Sequence, residues 1–136
     1  MTIKLLGEIQ SYHAHVYFDG PEQSVLVDTL RDQIAERFSV LLGRRHDRPI
    51  GPHARPMFQV AFDIGEFDRM VPWLMLNRQG LTVLVHPNTG HPRRDHLHDA
   101  LWLGEVLTIN PDPFLVEREA EPEAVAVPNT QPKVLP

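Results

Sequence analysis

From Glu22 to Phe38 the apolar residues Leu26, Leu30, Ile34 and Phe38 recur every four positions, and Val27 and Ala35 widen the stripe. That spacing lines one face of a helix, so the segment predicts an amphipathic helix whose stripe must be buried against another apolar surface. Just before it, Tyr12-His13-Ala14-His15-Val16-Tyr17-Phe18 alternates and is rich in aromatic and branched side chains, which is the pattern of a strand. Asp19-Gly20-Pro21 separates the two, with Asp19 a candidate cap and Pro21 near the first turn.

The rest of the chain repeats this alternation. Val40 to His46 reads as a strand weakened by Gly43 and the Arg44-Arg45 pair, and Arg48 to His53 as a loop punctuated by Pro49, Gly51 and Pro52. Met57 to Asp63 is a strand with Phe58, Val60 and Phe62 on one side. Glu66 to Asn77 is a helix in which Phe67, Met70, Val71, Leu74 and Arg78 share a face. Pro72 is expected to kink or restart it, and Gly80 to stop it. Leu81 to His86 is a strand, Pro87-Asn88-Thr89-Gly90 a turn, Asp95 to Leu101 a short helical turn, and Val106 to Asn110 a last strand.

The order β-α-β-β-α-β predicts an α+β fold of the ferredoxin-like, split βαβ kind. One antiparallel sheet carries both helices, at about 22–38 and 66–78, on a single face, followed by an extra C-terminal strand and a tail. Residues 1–110 form the expected domain. Residues 111–136, acidic and punctuated by Pro111, Pro113, Pro122, Pro128, Pro132 and Pro136, form a tail that is disordered or lies as an arm on the domain or a neighbouring subunit.

Composition narrows the function classes. The 136 residues suffice for one core. A formal charge of −5 argues against a nucleic-acid partner. No apolar run approaches the roughly 18 residues of a membrane helix and no leader pattern opens the chain, so a cytoplasmic protein is expected. The absence of cysteine excludes disulfides, cysteine-ligated iron–sulfur clusters and thiolate zinc sites. Any metal must be held by imidazole, carboxylate or carbonyl groups.

Histidine is abundant, with eight in the chain, and seven lie in three windows: His13 and His15; His53; and His86, His91, His96 and His98. Alternation along the first strand turns Ala14, Val16 and Phe18 to the helices and His13, His15 and Tyr17 away from them. The same reasoning places Gln59, Ala61, Leu84 and His86 on the face away from the helices. The first and last core strands are neighbours in this topology, so His15 and His86 come within reach of one metal. A single strand histidine more commonly faces solvent. The agreement of strand phase with topology at two positions carries the metal reading past that alternative. His46 has no companion and reads as a surface residue. Arg93 and Arg94 are candidates to clamp a substrate carboxylate, and Asp95 or Glu105 to complete a two-histidine, one-carboxylate iron triad. Trp73 and Trp102 read as core or interface residues. The open sheet face, with Leu84 and Ala61 beside the histidines, predicts a homodimer that covers it.

Several segments look familiar as they stand. Tyr12 to Phe18, Gly51-Pro52-His53, Val71-Pro72-Trp73-Leu74-Met75-Leu76-Asn77-Arg78, Leu81-Thr82-Val83-Leu84-Val85-His86-Pro87-Asn88-Thr89-Gly90, and Asp95-His96 followed by Ala100-Leu101-Trp102-Leu103-Gly104 together resemble the DOPA 4,5-dioxygenase family. The resemblance runs over about residues 12 to 109 in the same order. It implies a ferredoxin-like, dimer-prone protein that cleaves a catechol ring in the extradiol manner with dioxygen and a histidine-ligated non-haem metal. Fe(II) is the expected metal, with Mn(II) or adventitious Zn(II) as alternatives. By matching position the family's histidines fall on His15, His53, His86 and His96, whereas His13, His91 and His98 lie outside the pattern. His15, His86 and His96 are expected as metal ligands and His53 as the acid–base or orienting residue, with the roles of His53 and His96 exchangeable and Tyr17 in support. Ala54 departs from the proline that usually follows His53. A different class of function is a non-catalytic dimeric ligand-binding domain of the same fold, with the histidines as a polar interface.

Overall fold

The computed structural model describes residues 2–120 and 127–136. Pro122, one of the tail prolines, lies outside the described residues. Five strands form one antiparallel sheet: β1 (Ser11–Tyr17), β2 (Leu41–Leu42), β3 (Met57–Phe62), β4 (Val83–Asn88) and β5 (Leu101–Leu103), in the order β2-β3-β1-β4-β5. Helices α1 (Gly20–Arg37), α2 (Phe67–Asn77) and the short α3 (Pro92–Leu97) complete the elements that matter for the site. The fold is the expected α+β, ferredoxin-like arrangement with β1 at the centre of the sheet.

The faces follow the strand phases. Ala14, Val16, Phe58, Val60, Phe62, Val83 and Val85 meet Val27, Leu30, Ile34, Met70 and Leu74 of the two long helices in one buried core. A second, smaller cluster of Tyr17, Met57 and Leu84 lies on the opposite face, packed by Ala100, Trp102, Leu107 and Ile109. Leu84 is wholly buried and Ala61 is 8% exposed within the single chain. Neither residue therefore needs a second subunit as cover, and for Leu84 the chain's own segment from Ala100 to Ile109 supplies it. Trp73 joins the main core, where its ring meets Phe38 edge-on, while Trp102 stacks on Tyr17.

Several element boundaries move, each for a physical reason. Asp19 makes no side-chain cap; instead its N–H donates to Gln23 Oε1 at 2.9 Å. α2 runs through Pro72 without interruption. The carbonyl left without its N–H partner belongs to Asp68, an exposed residue, where water can serve it. The expected strand at 40–46 shrinks to Leu41–Leu42, after which His46 rejoins β3 through a single bridge to Met57. β4 runs on through Pro87 and Asn88, which were expected in a turn. α3 begins at Pro92, earlier than the expected Asp95, because proline is already shaped for the first helical position. The last strand is Leu101–Leu103, ended by Gly104 at a φ of 89°, and from the expected strand at 106–110 only Ile109 makes a bridge, to His53.

Residues 127–136 lie along α1 and the edge of β2. Asn129 accepts from Leu42 N–H at 2.8 Å and donates to Leu42 O at 3.0 Å, and the Lys133 N–H donates to Glu36 O at 2.7 Å. No described helix is long and apolar enough to cross a membrane.

Candidate active site

The floor of the site is built by the central strands. On β1, His13, His15 and Tyr17 share the face away from the long helices. Across the ladders His13 stands opposite His86 on β4 and His15 opposite Gln59 on β3. His15 Nε2 and His86 Nε2 are 3.1 Å apart, and both residues are 2% exposed or less. His15 is held on both sides by backbone ladders and His86 by its ladder to β1, which limits the freedom of both rings.

Two further histidines arrive from outside the sheet. His53 ends the loop after Ile50-Gly51-Pro52, where its N–H donates to Ile50 O at 2.9 Å, its backbone bridges Ile109, and Asn110 N–H donates to Pro52 O at 2.9 Å. Its Nδ1 lies 2.6 Å from the Tyr17 hydroxyl. His96 comes from α3, and its Nδ1–H donates to Pro92 O at 2.7 Å. The helix itself is tied down by Asp95, whose two carboxylate oxygens accept from the Thr89 N–H at 2.9 Å and the Thr89 hydroxyl at 2.6 Å. Ring centroids are 3.8 Å apart for His86 and His96 and 4.1 Å apart for His15 and His53. The rings surround a cavity of about 450 Å³ that His13, His46, Gln59 and Asn88 also line. A cavity of that size suits a single-ring ligand.

Burial sets the electrostatics. It drives the pKa of His15 and His86 well below the ordinary histidine value, and neighbouring imidazoles push in the same direction. His53 falls to about 4, again chiefly by burial, with lesser contributions from His96, His13 and His46. Burial raises the Tyr17 phenol. His15, His53 and His86 are therefore neutral imidazoles beside a protonated phenol near neutral pH, which is the state in which imidazole nitrogens can bind a cation.

The hydrogen bonds orient those nitrogens. His86 Nδ1–H donates to Pro87 O at 3.0 Å, which leaves its Nε2 bare. His15 Nε2–H must then be the donor between the two rings, and His15 Nδ1 is left buried without a partner. An unsatisfied buried nitrogen costs about 1–3 kcal/mol and calls for an explanation. The opposite nitrogens of the His15 and His86 rings bear on a cation directly. Two nitrogens bound at roughly 2.1 Å to one ion stand about 3.0 Å apart at right angles and about 3.4 Å apart at the tetrahedral angle, close to the 3.1 Å between His15 and His86. Two sets of three histidines place ligand atoms within 4.8 Å of one another: His13, His15 and His86, and His15, His53 and His96. His15 belongs to both. The residues present thus fit a nitrogen-ligated metal.

The structure brings His15, His53, His86, His96 and Tyr17 together. It adds two histidines that the sequence reading left out of the site, His13 and His46. His13 carried a usable signal, since it shares the His15 strand face. His91 and His98 flank α3 and do not line the cavity. Arg93 is paired with Asp112 at 2.8 Å and Glu117 at 3.6 Å, and Arg94 with Asp99 at 3.2 Å and Glu8 at 3.4 Å, so neither is placed to clamp a substrate. The carboxylate of an iron triad is not supplied by the two candidates either: Asp95 is committed to Thr89, and Glu105 is exposed beside Arg55 at 3.7 Å.

Residues 12–112 match the family model described as the Dopa 4,5-dioxygenase family. The chain is 35% identical over 125 residues to an uncharacterized 21.2 kDa protein of Botryotinia fuckeliana, covering 84% of this chain and 67% of that protein. It is 30% identical over 113 residues to a DOPA 4,5-dioxygenase of Amanita muscaria, covering 76% of this chain and 49% of the fungal enzyme, so the match spans about half of that relative. A crystal structure from Nostoc punctiforme, described as that of a candidate dioxygenase, superposes with a TM-score of 0.77 at 49% identity, covering 79% of this chain and 93% of the other.

Proposed function

The chain belongs to the Dopa 4,5-dioxygenase family, and from that premise we propose that it is an extradiol dioxygenase that opens the ring of a catechol such as DOPA. The observation that carries the proposal is the cavity ringed by histidines, with His15 common to both groups whose nitrogens converge. His15, His86 and His96 hold the metal in this reading, a set that joins His15 to one histidine from each of the two groups, His86 from one and His96 from the other. Fe(II) is the metal proposed, with Mn(II) as the alternative and Zn(II) as an adventitious occupant. When bound, it would supply open positions for catecholate and dioxygen and a path for electrons from the ring to oxygen.

The chain's own residues supply orientation and proton transfer. Pro87 O and Pro92 O hold Nδ1–H of His86 and His96, which presents both Nε2 atoms as ligands. His53 acts as the acid–base residue. With its Nδ1–H given to the Tyr17 oxygen, the lone pair on its remaining nitrogen is free to take a catechol proton. Its low pKa keeps it neutral and ready to do so at pH 7. Exchange of the His53 and His96 roles leaves the same chemistry. The reading includes a cytoplasmic homodimer, which rests on the family resemblance and is tested by light scattering; a monomer at micromolar concentration overturns that part alone.

The decisive experiment uses protein purified without a histidine tag, analysed for metal and reconstituted with iron anaerobically. Oxygen uptake and a yellow ring-opened product are expected with at least one of DOPA, caffeate and protocatechuate. Full iron occupancy with no oxygen uptake across that panel would rule the dioxygenase reading out.

A further inference from the structure

His46 sits in the cavity, yet it belongs to neither set of histidines whose nitrogens converge on a metal position. Its backbone is pinned to β3 through both of its polar groups: His46 N–H donates to Met57 O at 2.9 Å and Met57 N–H donates to His46 O at 3.2 Å. The neighbouring Arg45 turns the opposite way, to Ser24 and Asp28 of α1 and over the Phe18 ring. His46 therefore faces the histidine side of the sheet, near enough to His53 to act on its charge.

The cavity lacks the groups that usually recognise an anionic substituent. Among the described residues no lysine or arginine lines it, and Arg93 and Arg94 are held by carboxylates elsewhere. Residues 121–126, which follow the cavity residue Ala120, contain two glutamates and no basic residue. Of the remaining polar lining residues, His13 converges with His15 and His86, and Gln59 stands opposite His15 on the floor of the site, beside the metal ligands. Asn88 Nδ2 donates to Ser11 Oγ, and Asp95 is occupied by Thr89. We infer that His46 is the specificity-determining residue of this site, donating from its imidazole to a carboxylate on the catechol's side chain. The inference rests on the catechol reading given above. A ring held over His15 and His86 directs its substituent away from the metal ligands and from His13, which converges with them, and His46 is the imidazole of the lining outside both histidine groups.

The test compares two catechols that differ by one carboxylate, 3,4-dihydroxyphenylacetate and 4-methylcatechol, on the iron-loaded protein. Anaerobic calorimetry gives their affinities and oxygen uptake their turnover. His46→Ala is expected to weaken affinity and kcat/KM for the acid by about tenfold to a hundredfold, the worth of one hydrogen bond to a charged group, while 4-methylcatechol changes by less than about twofold. Iron content stays as in the parent, and His46→Gln, which keeps a donor, recovers much of the loss. Equal losses for both catechols, no loss for either, or loss of iron would each overturn the assignment. If the parent binds both catechols without consuming oxygen, the dioxygenase reading fails, and selective loss of the acid's affinity in His46→Ala still upholds the role of His46. If the parent binds neither catechol, both readings fall.

Discussion

Three of the clustered histidines have their Nδ1 taken by a neighbour: His86 by Pro87 O, His96 by Pro92 O and His53 by the Tyr17 hydroxyl. Each is thereby set to offer Nε2. His15 has a buried Nδ1 without a partner, and its place in both ligand sets makes it the residue whose loss matters most. His15→Ala or His86→Ala is expected to empty the site of iron and abolish activity, because affinity depends on every directly bound nitrogen. His53→Ala is expected to keep iron and to slow turnover by about 10²–10⁴-fold; metal analysis beside single-turnover kinetics separates the two outcomes. Tyr17→Phe removes the partner of a buried imidazole and should cost about 1–3 kcal/mol of stability, read by denaturant titration, with slower turnover at unchanged iron. Strand alternation was enough to place His13, His15, Tyr17 and His86 on one face. It could not place His46. Leu42 lies in the main core and His46 in the cavity four residues later, an even separation that in an unbroken strand would put both on one face. Leu42 pairs with Val60 and His46 with Met57, so residues 43–45 face only Phe58 and Gln59 of β3 and the phase slips by one residue, which no periodic pattern records.

At the scale of elements, the two long helices and the three long strands were readable because each buries a periodic face. The short elements were not. β2, α3 and β5 span only 2, 6 and 3 residues, too few for a period to show. They are set by tertiary hydrogen bonds such as those of Thr89 to Asp95. The segment from 127 to 136 is another element that composition could describe only as a tail. Asn129 pairs with both backbone groups of Leu42 and so imitates a neighbouring strand along the edge of β2. Asn129→Ala should lower stability by about 1–3 kcal/mol through those two hydrogen bonds, without changing iron content or turnover. An unchanged denaturation midpoint would show that this edge needs no cover. Gly51 makes a similar demand on the loop that carries His53. A Cβ there would overlap the Phe114 ring, so Gly51→Ala is expected to move the loop and slow turnover while the strand histidines retain iron.

For the whole molecule the histidine cluster ties stability to pH. His53 titrates at about 4 in the folded chain against an ordinary value of 6.5, and His15 and His86 are displaced in the same direction. The unfolded chain therefore binds more protons than the folded one below 6.5. Stability from these groups is present in full above that pH and is lost as pH falls towards the folded values. His53 alone accounts for about 3 kcal/mol by pH 4. The melting temperature of metal-free protein should fall steadily between pH 7 and pH 4.5; a flat profile would mean that the cluster is already solvated. The division of the site between sheet and loops has a further consequence for how such a protein can change. His13, His15 and His86 stand on paired strands, where an insertion would shift every neighbouring side chain to the wrong face. His46, Gly51, Pro52 and Gly90 stand in connections that tolerate length change. Descendants of this sequence can therefore acquire new substrates by rewriting the rim while inheriting the oxygen chemistry unaltered.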